Sequence, residues 1–528
     1  MVIPSRRIES AHLGSKLRMQ ASAPSRTLPL AVTVVVALVV TAVVVVYGWI
    51  SDDGFITFRY AANVLAGHGS VFNPGERVQG YTHPLWMFLL VFGLVFTKNA
   101  IIVAVVLGAG LTLATFGIFG ATLARRAREP MVAAVAILIL GVIFASSEAW
   151  RSFQTSGLEN SLSHFLIALL VLELFRERPR PFALSLIASL MVLTRPDLVP
   201  LVAPLGLVAL YEYRTREGFM ALAAGTAPLL LWLAFSLIYY GDLVPNTARA
   251  KLGIYPSIGD SVSQGWIYLR DWISYEPVPA AAAALLLATG AALARRPLQW
   301  ALVAGALLYV CYVVFIGGDF MRGRFMLAFF VTGCLFGTAA IVHAERFRPS
   351  RELVLAAGVL VLIATTVFGA TAREQDRSLS HGIVNERLFY TGLHLTHYIA
   401  DKRLDTPFYE PAFAQQLEDY ESACGPLTIH SLTTGKLGYD VRGIVDVIDL
   451  VGLTDEYIAG LPRENLIVSP PRPGHPYKRI PIAYLAGRND VSIFADWQEA
   501  IARKDCSLRD RPAALVDSKE LYEPKVPK

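Results

Sequence analysis

Charge is what this chain has least of. Only 17% of its 528 residues are Asp, Glu, Lys or Arg, against 54% apolar, where an average soluble chain carries about 25% charged residues. That balance excludes an intrinsically disordered chain and a coiled coil. Cysteine is scarce as well: four in the whole chain, too few for a disulfide scaffold. Cys311 and Cys334 lie inside apolar runs and read as packing residues. Cys424 and Cys506 lie in the polar C-terminal part and can pair if that part is extracytoplasmic. GxxxxGK[ST], GxGxxG after a strand and HExxH are all missing, which argues against a nucleotide-driven machine. The net charge of +5 is small for the length, and the basic residues sit mostly in short loops, so no nucleic-acid partner is implied.

What the chain does have is apolar runs. A membrane crossing needs about 20 apolar residues. Candidate spans fall at 28–50, 99–123, 131–147, 160–175, 181–194, 197–211, 219–239, 277–294, 298–316, 325–343 and 352–371. These eleven runs predict a multi-pass α-helical membrane protein. The first run is too long for a signal-peptide core and has no A-x-A-like site after it, so it reads as a retained helix. The run 84–96 is too short to cross and reads as an interfacial or re-entrant helix. With this count, Arg125/Arg126/Arg128, Arg176/Arg178/Arg180, Arg214/Arg216, Arg295/Arg296 and Arg346/Arg348/Arg351 all share the cytoplasmic side with the basic N-terminus, as positive-inside bias requires. Residues 1–27 are expected to be a disordered cytoplasmic arm and 28–371 the transmembrane domain, with a first external loop at 51–98. Residues 372–528 are expected to form an extracytoplasmic α/β domain. Within it, 426–430 and 444–450 read as strands and the stretch around 434–439 as a short helix or turn. The protein is thus placed in the plasma membrane, in contact with the bilayer.

The external face collects chemistry that orientation does not require. Asp52-Asp53 follows the first run directly; alone, such a pair is more often a helix cap. Adjacent carboxylates seldom share one pKa, so one can act as a base while the other holds an Arg or a metal. A divalent cation therefore stays open as a cofactor. Phe55, Phe58, Ala62 and Leu65 then recur at helical spacing, which predicts an amphipathic helix along the membrane. Arg59 and Arg77 are the cations nearest the pair in sequence. His83, Glu159 and Asn246 lie in other external loops, as does Thr194-Arg195-Pro196-Asp197, read as an Arg–Asp pair holding a turn. Asp319, Arg322 and Arg324 lie at the mouth of two spans. An arginine fork suits a departing phosphate, and the plainer alternative is interface anchoring with a salt bridge to Asp319.

The stretch DDGFITFRY…GHGSVFNPGERVQGYTHPLW resembles the first external loop of GT-C glycosyltransferases. Within that superfamily it looks most like the actinobacterial terminal β-(1→2)-arabinofuranosyltransferases. Gly317-Gly318-Asp319-Phe320-Met321-Arg322-Gly323-Arg324-Phe325 is similar to that family's GGDFM-x-x-RF motif. The segments 445–455 and Arg472-Pro473-Gly474-His475 with Lys478 are similar to its periplasmic domain. The resemblance implies a GT-C fold and an enzyme using a polyprenyl-phosphate sugar, decaprenyl-phosphoryl arabinofuranose at the nearest match, with a cell-wall glycan as acceptor. Transfer would follow an inverting or SN2-like path. Asp52 and Asp53 would be catalytic, with Asp52 favoured as the base. Arg322, Arg324, Asp319 and Arg59 would hold the donor phosphate or lipid. His83, Glu159, Asn246, His475 and Lys478 would hold sugar or acceptor. A hexose, mannosyl-type transferase and a lipid-linked sugar transporter are the alternatives. Charges gathered at the outer face rather than mid-span speak against the transporter.

Overall fold

A computed structural model describes residues 26–251, 254–344, 381–410, 412–467, 473–488 and 491–524. The run 352–371, the loop with Arg346, Arg348 and Arg351, Arg472, and residues 1–25 lie outside the described residues.

Helices dominate. The long ones are α1 (Thr27–Val46), α4 (Ala100–Arg126), α10 (Arg216–Tyr240) and α14 (Pro297–Phe315). Between α1 and α4 lie α2 (Asp52–Leu65) and α3 (Pro84–Phe96). Next come α5 (Pro130–Ser146), α6 (Glu148–Phe153), α7 (Asn160–Leu174), α8 (Pro181–Thr194) and α9 (Val199–Glu212). After α10 the chain forms α11 (Asn246–Lys251), α12 (Ile258–Tyr275) and α13 (Pro277–Leu293), and α15 (Leu327–His343) follows α14. Among the described residues, α1, α4, α10 and α14 are long and apolar enough to cross a membrane, and α12–α13, bent by 104°, makes a fifth if the pair is one span. Helices α5, α7, α8 and α15 are apolar but only 14 to 17 residues long. At 1.5 Å per residue they reach about 21–26 Å, short of a 30 Å hydrocarbon core. The long helices leave much apolar side-chain surface outward, with Leu231 and Ile238 of α10 at 71% and 83% exposure, as a lipid-facing helix should.

Prolines set the starts. Pro84, Pro130, Pro181, Pro277 and Pro297 each stand in the first turn of a helix, where a missing N–H costs nothing. Helix α3 runs beside α2, and both its ends return there. His83 at its start lies 2.7 Å from Thr57 of α2, and Lys98 just past its end lines one cavity with Phe55 of α2.

Helix α2 departs from the surface helix expected. Phe55 and Phe58 are fully buried, but so are Thr57, Arg59 and Tyr60 on its other faces. The cause is the C-terminal region, which lies across it. There β1 (Thr428–Ser431) and β2 (Asp446–Asp449) pair in parallel, Thr428 opposite Asp446. Helices α16 (Leu395–Asp401) and α17 (Phe413–Cys424) precede β1, and α18 (Thr434–Asp440) connects the two strands. The strands and helix fall where the apolar runs placed them. Helix α19 (Glu456–Gly460) and a small antiparallel pair, Ile480–Pro481 with Leu521–Tyr522, complete the region. Its core includes Leu417, Tyr420, Ile429, Val441 and Val447, and extends into Ile56, Tyr60 and Phe72 of the first loop. A disulfide joins Cys424 to Cys506.

Candidate functional site

The convergence starts from Glu159, the residue before α7, buried to 2%. Its carboxylate takes an ion pair from Arg324 at 2.9 Å, another from Arg195 at 3.3 Å, and sits 3.3 Å from His83 Nδ1. Burial pushes this acid up, yet Arg324, His83 and Arg195 outweigh it and hold it at about 2. Arg195 also grips Asp197 through Nε at 3.0 Å and a terminal nitrogen at 2.6 Å. The Arg–Asp turn pair read from the sequence is therefore real, and the same arginine is a site residue that the reading missed. Burial lowers the proton affinity of His83, with Glu159 opposing that shift.

Asp319 stands across from this group. It accepts a hydrogen bond from the Phe320 amide at 2.9 Å and lies 4.0 Å from Arg324. Burial raises it, with Asp53 adding to the rise and Arg324 and Lys251 opposing it. Gly317 and Gly318 before it have φ of +88° and +72°, and a Cβ on Gly318 would fall 2.5 Å from Tyr268. The GGD turn thus needs glycine both for its backbone and for its closeness to α12.

Above these charges opens a cavity of about 820 Å³. Its floor is Glu159, Arg195, Asp197, Asp319, Arg324 and Lys251. Its walls are apolar: Leu243, Val244 and Pro245 before α11, Ile254, Tyr255 and Ile258 leading into α12, and Tyr312, Phe315 and Ile316 from the end of α14. A polar pit under an apolar shaft suits a ligand with a charged head and a hydrocarbon tail. Lys251, which ends α11, makes no ion pair among the described residues. Its Nζ lies 5.7 Å from the centre of the Phe320 ring.

The acid pair divides. Asp52 opens α2 and accepts from the amides of Gly435 (3.2 Å) and Lys436 (2.9 Å), the first turn of α18. Burial raises it to about 6 even against those amides. Gly435 is required there, because a Cβ would meet the Asp52 carbonyl oxygen at van der Waals overlap. Asp53, the next residue, acts electrostatically on His83, Asp319 and Arg324, on the side of the cavity.

Other predicted residues stand elsewhere. Arg59 is 1% exposed and donates to Phe72 O, Gly438 O, Val445 O and Asn73 Oδ1, tying α2 to the C-terminal region. Arg322 forks onto Asp271 at 3.0 and 3.3 Å and stacks 4.6 Å over Tyr275, away from the cavity. Asn246 donates to Gly452 O and Leu453 O, and Lys478 to Ile458 O and Ala459 O at the end of α19. His475 comes closer, edge-on to Phe320 at 4.1 Å, while Gly474 lines the cavity itself. Among the described residues no three His, Cys, Asp or Glu side chains gather as a metal group.

No protein-family profile matches the chain. Over 345 residues it is 34% identical to the terminal β-(1→2)-arabinofuranosyltransferase of Mycobacterium tuberculosis, covering 55% of this chain and 53% of that one. It is 32% identical over 327 residues to the protein of the same name from Corynebacterium glutamicum, covering 53% and 46%. Both curated proteins that the chain resembles are terminal β-(1→2)-arabinofuranosyltransferases, and the likeness extends over about half of the chain. The chain spans about half the length of the curated relatives it matches. Among solved structures, the mycobacterial arabinofuranosyltransferase AftD superimposes with a TM-score of 0.38 at 15% identity, over 81% of this chain and 32% of that one.

Proposed function

We propose that the protein is a GT-C membrane glycosyltransferase. It moves arabinofuranose from a polyprenyl-phosphate donor to a cell-wall glycan on the outer face of the plasma membrane. The observation that carries this is the cavity with a charged floor and apolar walls, lined by Glu159, Arg195, Asp319 and Arg324, on whose charges Asp53 acts electrostatically. The relatives' names supply the sugar.

In this reading the polyprenyl tail lies along the walls formed by α11, α12 and α14, and the phosphate reaches the floor. Lys251, which makes no ion pair among the described residues, and Arg324 receive the negative charge that grows on the departing phosphate oxygen. Arg324 replaces Arg322, whose guanidinium is committed to Asp271. The acceptor hydroxyl attacks the anomeric carbon as the carbon–oxygen bond to phosphate breaks. Its proton passes to a carboxylate. Asp52 fits that role: burial lifts its proton affinity towards neutrality, and two amides leave other lone pairs open. Asp53 sets the field around Arg324 and His83. Asn246, Arg59 and Lys478 act as structural clamps. The chain is a multi-pass membrane protein in this reading, with the C-terminal α/β region on the outer face.

The test is transfer in detergent from synthetic polyprenyl-phosphate arabinofuranose to an arabinan oligosaccharide, with mass and linkage read out. Polyprenyl-phosphate mannose serves as the competing donor. Arabinose transfer that falls about 10²-fold or more in Lys251→Ala supports the reading. Mannose transfer alone, or full activity in both Asp52→Asn and Asp53→Asn, overturns it.

A further inference from the structure

A second cavity, of about 580 Å³, shares no lining residue with the donor cavity. Thr97, Lys98 and Asn99, between α3 and α4, form one side. Tyr398, Lys402 and Arg403 at the end of α16 form another, and Lys436 and Arg442 around α18 close the third. Its charge is lopsided, with five cations (Lys98, Lys402, Arg403, Lys436 and Arg442) facing two carboxylates, Asp405 and Asp440. Both carboxylates are taken. Asp440 pairs with Lys436 and accepts from the Tyr409 hydroxyl at 2.7 Å. Asp405 lies 3.3 Å from Arg403 and 3.0 Å from His397. Lys98, Lys402 and Arg442 are left without a carboxylate among the described residues, and the Arg442 guanidinium is braced 3.9 Å over the Tyr439 ring.

Position adds to charge. Phe92, Val95 and Phe96, at 65%, 66% and 75% exposure, come directly before Thr97. An exposed apolar edge continuous with unpaired cations is the arrangement met at a membrane interface, where chains enter the bilayer and phosphates stay at its surface. Tyr398, Tyr409 and Tyr439 line the same space and bring hydroxyl groups. A neutral glycan would leave the three unpaired cations unanswered, whereas a phosphate answers them.

We propose that this cavity binds the phosphate headgroup of an anionic membrane lipid, at a place separate from the donor cavity. The inference does not depend on the transferase reading. The test uses the detergent-purified full chain titrated with short-chain phosphatidylglycerol and followed by native mass spectrometry, with phosphatidylcholine and inorganic phosphate as parallel arms. One phosphatidylglycerol should bind, weakened about fivefold in Lys402→Ala and about a hundredfold in the combined Lys98→Ala, Lys402→Ala and Arg442→Ala variant, since each cation near the surface contributes about 1 kcal/mol. Lys402→Arg should bind as the wild type does. Should the combined variant misfold, Lys402 is exposed, so its two single substitutions keep the comparison intact. Equal retention of phosphatidylcholine, an affinity unchanged in every variant, or displacement by an arabinan oligosaccharide would each overturn the proposal. Displacement by inorganic phosphate at matched concentration would overturn the lipid assignment in favour of a soluble anion. Asp53→Asn should bind phosphatidylglycerol normally whether or not it transfers sugar, which separates failure here from failure of the transferase reading.

Discussion

Asp52 is where local chemistry makes the sharpest demand. Its folded pKa of about 6 stands above the usual 3.8 because burial disfavours the charge more than two amides favour it. The sign follows. A raised acid costs stability once ionised, so the penalty is absent below about pH 4 and complete only above about pH 6. Catalysis runs the other way, because a base must be unprotonated. Activity should therefore rise with pH through a midpoint near 6, measured as kcat against pH. Asp52→Asn should lower kcat by about 10²–10⁴-fold and erase that limb. A retained limb in a folded Asp52→Asn protein would place the base elsewhere. Arg59 makes the opposite case. Four hydrogen bonds hold its buried guanidinium, and removing it leaves buried carbonyls unsatisfied. Arg59→Met should cost about 3 kcal/mol or more, read as a fall in Tm, with the donor KM of the surviving folded fraction unchanged.

Elements show how far the sequence could be read. Strands β1 and β2 and helix α18 were legible because short β-branched runs and a Thr-Gly segment carry local signals. The convergence of Glu159, Arg324 and Asp319 was legible as a set of outward-facing acids and arginines. The roles of Arg195, Lys251 and Arg322 were not, since a pattern along the chain cannot tell which arginine is already paired. Asp271, Arg322's partner, is 51 residues away, on α12. Arg195 does carry a local Asp, and that visible partner hid its second bond to Glu159. Helix α2 misled for a similar reason: its polar face is met by the C-terminal region more than 370 residues on, not by water. Covalent linkage belongs to this scale too. The Cys424–Cys506 bond closes a loop of 82 residues, for which chain entropy gives about 4 kcal/mol. Replacing both cysteines by serine should lower the stability of the C-terminal region by that order, read as a fall in Tm, while the charged floor of the donor cavity, Glu159, Arg195 and Arg324, lies outside the closed loop and keeps its affinity for polyprenyl phosphate. Matched melting curves of the two proteins with and without reductant check this.

At the scale of the whole molecule, the disulfide and the basic loops make one argument about orientation. Disulfides persist in oxidising compartments, so the proposed orientation puts the region across α2, with Cys424 and Cys506, outside. The cavity floor, Asp52 and α18 touch or lie beside that region and go with it. On that proposal Arg214, in the turn between α9 and α10, and Arg216, which opens α10, belong inside, one long helix away from Asn246 and the donor cavity. Helix α10 has 25 residues, about 37 Å, enough to separate the two faces. The expectation is directional. In a Cys311→Ser background, a cysteine at Glu464 should react with a membrane-impermeant maleimide on intact cells. One at Arg214 should react only after permeabilisation. Labelling of both from outside, or of Arg214→Cys alone, would put the donor cavity on the cytoplasmic side. Lipid-linked sugar and growing wall glycan could not then meet at these aspartates, whatever the geometry around Glu159.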